Sequence, residues 1–170
     1  ENNQDKINIF WLSRNQNSRA IGLLEANPQQ INWHWLNKNP SERIFTILEN
    51  YQNEIDWGIL SANPNDKALD LLEQNQSKIN WIQLSRNPNN RAIQLLEKNA
   101  DNISWQKLSI NPTNRAIKLL ENNQNRIDWR WLSANPTIIT KVYNYNYNQM
   151  KQLNLNLKEE LIQNRFSPNN

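Results

Sequence analysis

A histidine relay or metal cluster in this chain would have one residue to draw on, His34, because there is no second histidine and no cysteine. Zinc needs several converging His, Cys or carboxylate ligands, and a nucleophilic relay needs a base beside a Ser or Cys. No such motif accompanies His34 in "INWHWLNKNP". The carboxylates fall on a regular ladder or at cap positions, with no isolated pair suited to acid–base work. No catalytic, cofactor or metal site is expected, and the chain reads as a non-enzyme. Recognition chemistry is better represented. Trp11, Trp35 and Trp131 stand near Arg14, Lys38 and Arg130, with His34, Arg86 and Lys107 at related positions. Trp with Arg is the composition of interface hot spots: the indole buries a large area and the guanidinium pairs with planar acceptors. These nine residues are the candidate partner-binding set.

Composition narrows the remaining classes. A chain of 170 residues is normally one domain. Its two glycines, Gly22 and Gly58, argue against Gly-rich phosphate loops and many tight hairpins. No apolar run approaches the roughly 20 residues of a membrane span, and no signal peptide is visible. A start at Glu1 suggests a processed or truncated N-terminus. The absence of cysteine leaves the redox compartment unread, and localisation with it. The net charge of +3 is mild, with a modestly basic C-terminal half.

The elements that must position these residues come from a repeat. Isoleucine recurs every 24 residues at Ile7, Ile31, Ile55, Ile79, Ile103 and Ile127, defining six units. Taking it as position 1, position 2 is Asn8, Asn32, Asp56, Asn80, Ser104 and Asp128, all N-cap residues. Position 3 is Ile9 and then Trp33, Trp57, Trp81, Trp105 and Trp129; position 6 is always leucine. Ile at position 1 and Leu at position 6 suit a hydrophobic staple around a short helix A. Position 9 is always Asn, and from unit 2 it is followed by Pro. A residue before proline leaves the α region, so helix A ends near position 8, as an α- or 3₁₀-helix. The same Asn-Pro pair reads as N-cap and N1 of a longer helix B over about positions 10–20. Its apolar stripe is positions 14, 15, 17 and 18, as in Ala92, Ile93, Leu95 and Leu96. An Asn at position 21 suits a left-handed C′ residue.

One such unit cannot bury its own stripe, whereas stacked units can. The expected fold is all-α: an α-solenoid of six 24-residue two-helix repeats. The array covers residues 1–139, and residues 140–170, where the pattern is lost, read as a C-terminal helical cap. The first unit, with Ile9 for Trp and Gln16 for Pro, reads as a soft N-terminal cap or the cut edge of a longer array. Two charge ladders share the period: Arg19, Arg43, Lys67, Arg91 and Arg115 at position 13, and Glu25, Glu49, Glu73, Glu97 and Glu121 at position 19. They are six residues apart, too far to pair on one helix, so pairing between units is expected. The recurring position-3 tryptophans read as core. Position 5 also holds Gln83 and Lys107, so packing does not require its tryptophans. Trp35 is read as an interface residue; Trp11 and Trp131 either belong to an interface or cover the ends of the stack.

The pattern W-x-x-L-S-x-N-P-x-x-x-A-I-x-L-L-E-x-N, over about residues 7–150, resembles a tandem repeat of proteins encoded by giant DNA viruses of protists. The ending "KEELIQNRFSP" resembles the tail that closes those arrays, with Phe166-Ser167-Pro168 where Phe-His-Pro is common. The resemblance implies a repeat fold and a viral origin, hence host cytoplasm or virion, and supplies no site residues. The unit is also similar, less closely, to leucine-rich-variant repeats, which alternate α- and 3₁₀-helices. The expected role is a scaffold holding a viral or host protein along the helix A face, with no membrane and no small-molecule substrate. Two alternatives are nucleic-acid binding through the basic C-terminal half and the position-13 ladder, and a structural virion or assembly subunit.

Overall fold

The computed structural model describes residues 7–137 and Gln152. Among them every regular element is helical, in an order that repeats with the sequence period. Unit 3 shows the plan: a short helix Trp57–Ser61, an extended corner, a longer helix Asp66–Gln74 and a 3₁₀ turn Gln76–Lys78. Unit 4 repeats it as Trp81–Ser85, Asn90–Lys98 and Ala100–Asn102, and unit 5 as Trp105–Ser109, Asn114–Glu121 and Gln124–Arg126. From unit 2 onward each short helix packs on the short helix of the next unit, and the long helices of units 3 to 5 stack likewise. The result is an α-solenoid with one layer of short helices and one of long helices. The cap expected over residues 140–170 lies outside the described residues, apart from Gln152.

Burial follows the repeat. Leu36, Leu60, Leu84 and Leu108 are fully buried, and the position-1 isoleucines from Ile31 to Ile103 are nearly so. On the long helices Ala68, Leu69 and Leu72, then Ala92, Ile93 and Leu96, complete the core. The apolar contacts form two clusters, one through units 1 to 3 and one through units 3 to 6, and Trp57 packs against both.

Four local features differ from what the sequence suggests. A 3₁₀ turn that the sequence did not announce sits at positions 22–24, and helix A, open between the two forms in the sequence, is α-helical. In units 1, 3, 4 and 5 helix B starts two residues later than expected, at position 12, capped by Asn17, Asn65, Asn89 or Thr113 at position 11; in unit 2 it starts at Ile44, position 14, with no side-chain cap. The Asn of the Asn-Pro pair does not cap it, because its carboxamide is committed elsewhere. Asn87 is fully buried. Its Nδ2 donates to the Ser61 carbonyl at 3.0 Å and the Asn63 carbonyl at 2.9 Å, both one unit back. Its Oδ1 accepts from the Asn89 N–H at 3.0 Å. Asn39, Asn63, Asn111 and Asn135 repeat this pattern, giving an asparagine ladder through the corner. Beside it, buried Ser85 accepts from the Ser104 N–H of the next unit and donates to the Trp81 carbonyl. These buried bonds run between units, which lets a polar corner sit inside a stack.

The third difference is at position 21. Among the described residues no non-glycine residue has positive φ. Asn75 adopts φ −127° and closes its helix by side chain, Nδ2 to the Leu71 carbonyl at 2.9 Å. This leaves the chain free to enter the 3₁₀ turn. The fourth concerns the position-3 tryptophans. Trp33, Trp57, Trp81 and Trp105 are half-buried and pack on the core's edge rather than inside it, and Trp129 is 65% exposed. A residue at the first position of a short helix reaches only the rim of the stripe. Neighbours lie against two of the half-buried rings: Lys78 lies 5.1 Å over Trp57, and Tyr51 lies 5.3 Å from Trp33.

Candidate recognition surface

The short helices are fixed at both ends, so their free side chains are held in register. Asn32 caps its helix at 3.1 Å from the Trp35 N–H, Asp56 at 2.9 Å from Ile59, and Asn80 at 3.1 Å from Gln83. The serines and asparagines of the corner hold the other end. The side chains at positions 4, 5 and 8 are what the scaffold leaves free.

On the first two units these side chains form one cluster. The Arg14 guanidinium lies 5.2 Å from the centre of the Trp11 ring and 4.1 Å from that of Trp35. Lys38 Nζ lies 4.8 Å from the Trp35 ring and 2.9 Å from His34 Nε2. In the tautomer that carries its proton on Nδ1, Nε2 accepts from the Lys38 ammonium. Phe10 meets Trp11 edge-on at 5.4 Å and Trp35 at 6.0 Å. Trp11 is 59% exposed, whereas Trp35 is half-buried beneath its cations.

A groove of about 380 Å³ continues from this cluster across units 2 to 4, bordered by His34, Lys38, Gly58, Ile59, Gln83 and Arg86. Arg86 thereby joins His34 and Lys38, although 48 residues separate Arg86 from Lys38 in sequence. The other candidates lie apart. Lys107 sits 4.6 Å over the Trp131 ring as a separate pair, and Arg130 is exposed on the last short helix described. The nine candidates therefore resolve into a cluster with a groove, a distant pair, and Arg130 in neither. Sequence reasoning missed the groove. Its signal was Gly58, the one position-4 residue without a side chain.

The charge ladders face elsewhere and pair between units, as their spacing suggests. Arg43 meets Glu25 at 2.7 Å, and Arg91 meets Asp70 at 2.8 Å and Glu73 at 3.3 Å. Arg115 Nε donates to Glu97 at 3.0 Å. Lys67 departs from the rule and reaches Glu42 at 3.4 Å. The Arg43 hydrogen bond holds the Glu25 carboxyl below its ordinary range, against a smaller opposing effect of burial.

Among the described residues no three His, Cys, Asp or Glu side chains are placed to hold a metal ion. No helix there is long and apolar enough to cross a membrane. The geometry defines an α-solenoid presenting an aromatic, cationic surface on its short-helix layer. The chain matches no family model, no curated protein and no solved structure.

Proposed function

We propose that this chain is a non-enzymatic helical-repeat scaffold that holds a protein partner along its short-helix face. The observation that carries the reading is the Arg14–Trp35–Lys38 stack beside the groove. Cations fixed over an indole are ordered before binding, which lowers the entropic cost of an interface. The repeat dictates core, corner and ladder, and leaves these positions to vary between units. The unit's resemblance to giant-virus repeats supports a viral origin, with a viral or host partner in host cytoplasm or virion. The nucleic-acid reading draws less support, because Arg43, Lys67, Arg91 and Arg115 each have a carboxylate partner. A phosphate track would need those cations unengaged.

Affinity capture from infected and uninfected host lysate tests the reading. The baits are wild type, Trp35→Ala with Arg86→Ala, and Lys118→Ala on a long helix, each with and without nuclease. A protein retained after nuclease by wild type and Lys118→Ala, and lost with the double variant, is the expected result. Retention by all three baits, or loss on nuclease treatment alone, would reject this face as the protein-binding surface.

A further inference from the structure

We infer that the groove between Lys38 and Arg86 is a receptor for acidic side chains of an extended peptide segment. The inference rests on the scaffold reading and names the chemistry of the partner.

Two sets of cations differ in this molecule. On the ladder, Arg43, Lys67, Arg91 and Arg115 lie within ion-pair distance of carboxylates from the preceding unit. Among the described residues no carboxylate lies within that distance of Arg14, Lys38 or Arg86. None of the described residues lining the groove is acidic. Unlike these four ladder cations, the groove cations are not engaged by any carboxylate among the described residues. An Arg guanidinium takes a carboxylate through two parallel hydrogen bonds, and the Lys38 ammonium adds a second charge on the groove's other side. Gln83, three residues before Arg86 in the same unit, adds a neutral donor to the lining.

Gly58 gives the groove its room. Elsewhere position 4 is Phe10, His34, Ile82, Gln106 or Arg130, and Gly58 has no positive φ. The unit therefore does not need glycine for its backbone. A Cβ at this position would stand 3.2 Å from Asp56 Oδ1 and 3.7 Å from Asn80 Nδ2, so the Asp56 side chain has to give by a few tenths of an ångström to admit one. What the missing side chain provides is space between Lys38 and Arg86.

A short row of cations flanking a narrow recess suits a few carboxylates on one strand of peptide. A nucleic-acid backbone would seek a longer track, and the ladder cations Arg43, Lys67, Arg91 and Arg115 face elsewhere and are engaged by carboxylates.

The test is fluorescence anisotropy with labelled hexaglutamate amidated at its C-terminus, in low-salt buffer because screening weakens exposed charge pairs. Hexaglutamine with a free C-terminus and single-stranded decauridylate are the comparison probes. Hexaglutamate should bind wild type. Arg86→Gln should weaken it about ten-fold, the scale of one charge-assisted hydrogen bond. Gly58→Gln should weaken it as much while leaving the cations in place and the protein folded, with a melt close to wild type. Lys118→Gln should leave binding unchanged. Absence of hexaglutamate binding to folded protein would overturn the inference. So would equal binding by hexaglutamine, which would assign the groove to a terminal carboxylate. Tighter binding of decauridylate that is lost in Gly58→Gln would replace the peptide with RNA. Failure here, with capture of the protein partner still dependent on Trp35, would reject the acidic peptide and leave the scaffold reading standing. Failure of both would reject the face.

Discussion

Asn87 Nδ2 donates to the carbonyl of Asn63 at 2.9 Å, and the two residues occupy the same position in successive units. Each asparagine thus receives the next and reaches back to the last. Oδ1 meanwhile fastens the corner of its own unit. The repeat is held together by a buried polar thread as well as by its apolar stripe.

The ladder makes a prediction that separates it from a helix cap. Ser and Asn are nearly equivalent at an N-cap. At position 9, however, serine cannot donate to two carbonyls while accepting from an N–H in the asparagine geometry. Asn87→Ser should cost about 2–4 kcal/mol, since buried carbonyls left without partners cost about 1–3 kcal/mol each. Asn17→Ser, at an exposed cap whose side chain accepts from the Arg19 N–H, should cost less than about 1 kcal/mol. Urea denaturation of the two variants checks this; equal, small losses would remove the ladder from the account.

The half-buried tryptophans should be weaker than core aromatics. Full truncation of a buried Phe or Trp costs about 3–5 kcal/mol, so Trp81→Ala is expected at about 2–3 kcal/mol. Trp57→Ala should cost more, because Trp57 packs against both core clusters. Denaturant midpoints of the pair give the order. A silent Trp57→Ala would mean that the two clusters cohere without it.

The Glu25–Arg43 pair has a pH signature with a definite sign. The carboxyl of Glu25 titrates below its ordinary value of 4.5 in the folded chain, chiefly through the Arg43 hydrogen bond. Its contribution is therefore fully present above the unfolded value and is lost as pH falls through the folded one. Thermal melts of wild type from pH 6 down to pH 3 should lose a small increment below about 4.5 that Glu25→Gln lacks. The increment is small because the pair is exposed to solvent. Identical pH profiles would show that the pair contributes nothing measurable.

Much of the fold was legible because the repeat compares six versions of each position. Ile31, Leu36 and Ile93 announce the core by recurrence and helical spacing, and Asn32 and Asp56 announce the short-helix caps. The corner was misread because Asn-Pro also has the local form of a cap. The discriminating sign was present: position 2 accepts Asn, Asp and Ser, whereas position 9 is Asn in all six units. A site that admits only a carboxamide needs donor and acceptor together. The 3₁₀ turn had no such sign, since positions 22–24 vary in type and the bonds that close the turn are backbone bonds. At the candidate site, Trp35, Arg14 and Lys38 stood out by residue type. Their union with Arg86 depends on how units 2, 3 and 4 stack, which spacing along one helix does not encode. Gly58 marks the groove through a side chain that is missing, a signal visible only once its neighbours are placed.

Hydrogen exchange on the complex with the captured protein tests the central claim most directly. The account predicts added protection at the short helices Trp33–Lys38, Trp57–Ser61 and Trp81–Ser85, with Asp66–Gln74 and Asn90–Lys98 unchanged. Protection confined to those two long helices, or spread along the charge ladder, would contradict it and assign the partner to the opposite layer.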